Sequence, residues 1–329
     1  MSDLAELILF VALAFAWMSG TLVTALVPLT IRRTAGWEPS RRHRVLALLS
    51  AAPATLAGAA FVAVLLPSVL AIAWPRLDHC LVHDDHHLHL CFVHPPMHAA
   101  SWALSTVVLA ATMWVLFRAA TALVRFAAAL RLVSRLRRSA VVEPRLGVLV
   151  LPLTEPLCML LGIWAPSIVV SQGFLTATTT QELEVALHHE RAHLKRRDIL
   201  VRVLAHAATI FVWKRQRRLV LQALELAAEQ SCDEAAARQT GDRLCVAETI
   251  LRVERLLSRI PNRLAPAAAS FGGEAVSHRV AALLDPPATG GSVLRETLAF
   301  SVLLLSILAA SEHIHHCTES VMALLTHLA

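Results

Sequence analysis

The chain has 329 residues, of which 56% are hydrophobic and only 16% charged, and its mean hydropathy is +0.60. That balance excludes an ordinary soluble protein of this size and makes an integral membrane protein the first reading. The net charge of +6 and pI near 9.5 would suit nucleic-acid binding, but no nucleic-acid motif accompanies the arginines. Membrane proteins acquire such values from basic loops, so no direct nucleic-acid contact is expected. Lysine occurs only as Lys195 and Lys214 beside abundant arginine, alanine and leucine, the usage of a GC-rich bacterial genome.

A helix crossing the hydrocarbon core needs about 20 apolar residues. Residues 1–31 supply the first span. Leu7 to Ile31 is uncharged, and Asp3 and Glu6 precede it where a signal peptide would carry lysine or arginine, so it is expected to stay in the mature chain. Residues 32–44, "RRTAGWEPSRRHR", form a basic loop, and residues 45–74 a second uncharged span. Residues 75–98 contain "DHCLVHDDHHLHLCFVHPPMH", which places His79, His83, His86, His87, His89, His94 and His98 with Cys80 and Cys91. The third span covers residues 99–117.

Residues 118–295 are long enough for a compact domain. Arg118 to Arg138 reads as a basic helix leaving the membrane. "GVLVLP" and "SIVVS" read as short β-branched strands, bounded by Pro152, Pro156, Pro166 and Gly173. Thr179, with Glu182 three residues on, caps a helix that runs through Lys195. Another helix covers roughly Leu219 to Arg238, and the alanine- and proline-rich "LAPAAAS" reads as a loop. Residues 296–311 make a short fourth span, workable if Arg295 and Glu296 reach toward the headgroups. Residues 312–329 form a tail with His313, His315, His316, Cys317 and His327.

Orientation follows from the basic residues. The 32–44 loop holds Arg32, Arg33, Arg41, Arg42 and Arg44, whereas the histidine loop has Arg76 against Asp78, Asp84 and Asp85. The arginine loop is therefore expected in the cytoplasm. Alternation puts the N-terminus, the histidine loop and the tail outside a bacterial plasma membrane, and residues 118–295 inside.

"HHERAH", from His188 to His193, lies on the capped helix. His189 and His193 are four apart, so their imidazoles share one face and can reach one ion. Glu190, adjacent to the first, can take a proton from an attacking water. This is the zincin arrangement, and zinc needs a third protein ligand. Glu225, Glu229 and Asp233 line one face of the later helix; Glu229 is the preferred ligand, Glu225 the alternative, and Asp233 a partner that orients a ligand histidine. Asp198 can orient the other. His188 points about 100° away from the shared face and is a neighbour. Strict zincin patterns favour uncharged residues between the ligands, so Arg191 is a departure unless it turns away. The bland alternative leaves both histidines as solvated helix positions.

The run "LGIWAPSIVVSQGFL", then "TTQELEVALHHERAHLKRRD" and "AAEQSCDEAAA", resembles the integral-membrane zinc metallopeptidases of the beta-lactam-sensing signal-transducer type. A more distant likeness is to the prenyl-protein and heat-shock membrane peptidases. The resemblance spans most of the chain. It implies a mainly α integral membrane protein of about four transmembrane helices with a cytoplasmic α+β metallopeptidase insert. It also implies zinc held by His189, His193 and Glu229, with Glu190 as general base, and an outer signal that leads to cleavage of a DNA-bound repressor. The beta-lactam receptors are acylated at a serine three residues before a lysine. Here Ala192 precedes Lys195 and Phe211 precedes Lys214, and the chain ends soon after the fourth span, so a receptor of that kind is not expected.

Eleven of the 17 histidines lie in the loop and the tail. Imidazole suits zinc, copper, nickel and cobalt, and thiolate from Cys80, Cys91 or Cys317 adds softness favouring copper(I) or zinc. The expectation is an outer transition-metal sensor that bridges loop to tail and governs the inner peptidase. Metal buffering, pH sensing and a Cys80–Cys91 disulfide are the plainer alternatives for these residues. Cys158, Cys232 and Cys245 are expected to be reduced and packed. Expected partners are membrane lipid, a cytoplasmic protein substrate such as a winged-helix repressor, and a second copy in a homodimer. The rival functions are a constitutive housekeeping membrane peptidase and a non-catalytic metal-binding membrane protein.

Overall fold

Uncharged runs become long helices because a backbone in lipid must satisfy its own hydrogen bonds. α1 spans Ser2–Arg33, α2 Pro39–Ala73 and α3 Trp102–Ser139. The computed structural model describes residues 2–74, 76, 90–92, 102–257, 273–285 and 293–327. Among them these three helices are long and apolar enough to cross a membrane. A fourth crossing is made if α10 (Val293–Ala309) and α11 (Ser311–His327), which meet at a 63° bend, count as one span. Large apolar side chains such as Trp102, Leu109, Phe117 and Leu123 on α3 are exposed, as lipid contact requires.

Two helices run through segments that the sequence reads separately. The third span and the basic helix after it are one 38-residue helix, because no glycine or proline interrupts Trp102–Ser139. Half of the basic loop is helical as well: Pro39 starts α2, and Arg41 and Glu296 pair to join the starts of α2 and α10. Glu296 thus meets Arg41 as well as lying at the end of its span.

After α3 comes a four-stranded sheet, β1 Val141–Glu143, β2 Val148–Leu151, β3 Cys158–Leu161 and β4 Ser167–Ser171, in the order β1-β2-β4-β3. β2 and β4 run parallel, with Leu149 opposite Val169, and β1 and β3 flank them antiparallel. β3 is an edge strand beside α5. α4 (Gln172–Ala177) follows at once; Gly173 sits so close to the Thr154 carbonyl that a Cβ would not fit.

α5 covers Thr180–Arg196 and begins with a full capping box: the Thr179 N–H donates to Glu182 at 2.8 Å and the Glu182 N–H to the Thr179 hydroxyl at 3.3 Å. Leu187 faces the sheet with Val170 and Phe174, while Val185 faces Ala236, Val246 and Val276 on α7 (Lys214–Thr240), α8 (Arg243–Leu257) and α9 (Gly273–Leu284). Each such valine or leucine contributes about 1.5–3 kcal/mol by burial, which fixes the rotation of α5. α6 (Asp198–Ala208) and the first half of α7 pack into the membrane helices, where Val212, Val220 and Leu224 meet Val23, Val27 and Leu46. Gly20 on α1 admits the Phe211 carbonyl, which would lie 2.6 Å from a Cβ there, and the Trp213 N–H donates to the Thr24 hydroxyl at 3.1 Å.

Candidate metal centre

The rotation fixed by Val185 and Leu187 turns His189 and His193 toward α7. Their Nε2 atoms face each other at 3.1 Å. Glu229 closes the group, its carboxylate oxygens 3.4 Å from His189 Nε2 and 3.3 Å from His193 Nε2. All three ligand atoms lie within 4.8 Å of one another.

The opposite ring edges explain this orientation. His189 Nδ1 lies 2.9 Å from Asp233, and His193 Nδ1 2.7 Å from Asp198. An ionised carboxylate accepts, so each Nδ1–H donates and each Nε2 presents its lone pair. Two lone pairs aimed at each other across 3.1 Å, with a carboxylate beside them, repel unless a cation lies between. The donor set therefore fits a divalent metal bound by two imidazoles and a carboxylate. Without metal a proton takes that place: burial lowers the His189 imidazole, but the hydrogen bonds to Asp233 and Glu229 outweigh it and lift it to about 10.

Asp198 reaches His193 because the chain turns sharply after α5. Arg197 is, among the described residues, the one non-glycine residue with positive φ, 55°, and its N–H caps His193 and Leu194. A left-handed conformation costs an ordinary residue about 1–2 kcal/mol, which the caps and the Asp198–His193 bond offset. Arg196 steadies Asp198, its Nε 3.2 Å from Oδ1 and its Nη2 2.8 Å from Oδ2.

Arg279 on α9 clamps the other acid pair. Its Nε and Nη2 donate to Asp233 at 2.8 and 2.7 Å, and its Nη1 is 3.2 Å from Glu229. Burial alone would raise both carboxyls, yet Arg279 and the histidines hold Glu229 well below, and Asp233 below, the ordinary range. Glu190 goes the other way: burial raises its carboxyl, and the His189 and His193 charges only partly offset that. A carboxylate of raised basicity next to the paired Nε2 atoms can accept a proton from water.

A cavity of about 240 Å³ opens on this group, lined by Glu190, Glu229, Asp233 and Arg279 together with apolar residues such as Val246 and Ile250. Arg191 donates to the Leu146 carbonyl at 3.1 Å, away from the Nε2 pair, so its charge does not enter the site. Glu225 pairs with Arg202 at 3.1 Å, and Glu229 takes the place between the histidines. Arg279, Arg196 and His43, whose Nε2 is 3.7 Å from Asp198, were not anticipated. The acids on α7 signalled that a cation was needed, but nothing in the sequence picks Arg279 from 30 basic residues.

Of the other residues singled out in the sequence, His79, Cys80, His83, His86, His87, His89, His94 and His98 lie outside the described residues. Cys91 is buried with a free thiol. The tail folds as α11, with His313 and Cys317 exposed and His316 half-buried. His315 is fully buried; its Nδ1 lies 2.6 Å from the Val64 carbonyl oxygen and its Nε2 3.2 Å from Glu319.

Residues 85–283, more than half of the chain, match the family model described as BlaR1 peptidase M56. The chain belongs to the BlaR1 peptidase M56 family. Membership makes it a membrane-associated metallopeptidase with a metal cofactor, and the matched stretch of this M56 peptidase holds α5, α7 and Arg279 of α9 together. No curated protein and no solved structure matches the chain.

Proposed function

We propose that the chain is a zinc-dependent endopeptidase that transduces a signal across a bacterial plasma membrane. The observation that carries the enzymatic reading is the pair of Nε2 atoms 3.1 Å apart beside Glu229, each ring held from behind by its own carboxylate. His189, His193 and Glu229 would hold zinc, which when bound polarises a carbonyl and acidifies water. Glu190 accepts the water proton and passes it to the departing amine. Asp233 and Asp198 orient the histidines, and Arg279 keeps Glu229 and Asp233 ionised. The edge strand β3 offers unpaired backbone groups to an extended peptide, and Cys158 on that strand lines the same cavity.

In this reading the metal centre faces the cytoplasm, on the side of the arginines at 32–44, and its substrate is a regulatory protein such as a winged-helix repressor. The outer histidines of the 75–98 loop and α11, with Cys80, Cys91 and Cys317, bind zinc, copper, nickel or cobalt as the signal. His315 joins such a site by giving up Val64 or Glu319, so metal capture and release of a helix contact are one event.

Glu190→Gln in the full-length protein is the test. Metal content should stay unchanged while cleavage falls by about 10²–10⁴-fold. Cleavage retained by that variant would remove Glu190 from its role. Transcription of neighbouring genes in wild-type and Glu190→Gln cells, each exposed to the four metals, tests the signal. Induction by one metal, lost in the variant, supports the metal switch, and no metal dependence supports a constitutive peptidase.

A further inference from the structure

α2 is apolar from Val45 to Trp74, yet it opens with a buried histidine. His43 is 7% exposed, and its Nε2 lies 3.7 Å from Asp198 Oδ1. Asp198 is therefore surrounded by groups from three other helices. α5 supplies His193 and Arg196, α7 supplies Cys232, whose Sγ lies 3.8 Å from Oδ2, and α2 supplies His43. Packing alone would be served by any side chain of similar volume, whereas here a ring nitrogen is turned to the carboxylate that holds the candidate ligand His193.

The other end of α2 is also marked by polar contacts. The Ser68 hydroxyl donates to the Leu90 carbonyl at 2.6 Å, and the Leu90 N–H donates to Glu319 on α11 at 2.9 Å. One helix of 35 residues thus touches the chain beside the histidine-rich stretch at one end and the orienting partner of His193 at the other. A cavity of about 510 Å³ between α2, α5, α6 and α10, lined by His43, Arg44, Ala47, Arg196, Leu204 and Thr297, borders His43.

We propose that His43 is a positioning residue for the metal centre: it holds Asp198 where His193 Nδ1 donates and Nε2 faces the metal, so that movement of α2 changes metal affinity. The proposal rests on reading His189, His193 and Glu229 as the metal ligands. Removal of His43 opens a void beside Asp198 Oδ1, so that the carboxylate is restrained on fewer sides and the His193 ring loosens. The effect acts through Asp198 and vanishes when Asp198 can no longer hold the ring as an anion.

The test is a double-mutant cycle on the full-length protein in detergent, read as the zinc Kd by competition with a chromophoric chelator. His43→Ala should weaken zinc about 5-fold, below the range of about 10–100-fold for direct partners of ligands. His43→Gln, which keeps a polar nitrogen near the Nε2 position, should recover most of the affinity and guards against a folding defect in the alanine variant. In an Asp198→Asn background His43→Ala should have no further effect. Equal weakening in both backgrounds, or no weakening in the wild-type background, overturns the proposal. Unchanged zinc binding by His189→Ala would instead overturn the metal-centre reading.

Discussion

His189 and His193 on one side, and His315 on the other, are histidines beside carboxylates in a mainly helical protein, partly buried in the first case and buried in the other two, yet they are placed for opposite purposes. Each of the first two has Nδ1 held by an aspartate and Nε2 turned to a shared point. His315 meets the Val64 carbonyl with one nitrogen and Glu319 with the other. The lesson is that a ligand histidine is recognised by the nitrogen left facing a common point, and that burial beside an acid does not suffice.

The largest expected effect separates these two regions directly. His189→Ala should abolish zinc binding at the α5–α7 site, measured by metal analysis of the purified protein. His315→Ala should leave that site loaded and instead lower stability by about 1–3 kcal/mol, seen in thermal unfolding, because Glu319 and the Val64 carbonyl lose a buried partner. Loss of the α5–α7 metal from the His315 variant would erase the distinction.

Next in size, Asp198→Asn and Asp233→Asn should each weaken zinc by about 10–100-fold, since an amide does not hold Nδ1–H as an anion does. Chelator competition would measure it, and an unchanged Kd in both variants would show that the paired aspartates do not set the ring orientation.

A third measurement uses the proton as a stand-in for the metal. His189 is raised to about 10 in the metal-free protein from its ordinary 6.5. Its contribution is therefore complete below pH 6.5 and is lost as pH rises through about 10. Thermal unfolding of chelator-stripped protein should show stability falling across that window, and zinc-loaded protein should lack this dependence because the ring is already neutral. Flat behaviour of the stripped protein would contradict the assignment.

The smallest effect concerns Cys158. Burial raises its thiol well above the ordinary range, and the Glu190 charge adds to that. Glu190→Gln should speed alkylation of Cys158 at fixed pH and metal loading by about 2- to 3-fold, the scale of one nearby charge in a partly polar setting. Mass spectrometry of the labelled peptide would check it.

The parts of the fold visible in the sequence were those written in local chemistry. Thr179 and Glu182 announce the start of α5, the i, i+4 histidines define its working face, and the intervals of Glu225, Glu229 and Asp233 orient α7. β1 and β3 do not read as strands because the first is only three residues long and the second, "CMLL", has no β-branched residue, so each finds its place by pairing with a neighbour. The sequence reads a span at 99–117 followed by a basic helix, and the structure joins the two as α3, because a charged side chain need not interrupt a helix. The segment 312–329 reads as a histidine-bearing tail, and its helical form α11, whose buried face packs on α2, is set by tertiary contact. Arg279 and His43 were out of reach for the same reason: each meets its carboxylate only through tertiary folding, His43 across more than 150 residues of chain.

The helix that carries Glu229 and Asp233 is, in its first half, a component of the membrane bundle: Val220 and Leu224 of α7 pack against Val23 and Val27 of α1 and Leu46 of α2. The catalytic portion is therefore not a passenger that can be unhooked and attached to another anchor. A fusion that transplants residues 118–295 alone would leave the apolar flank of α7 bare, so anchor and catalyst have to be moved together.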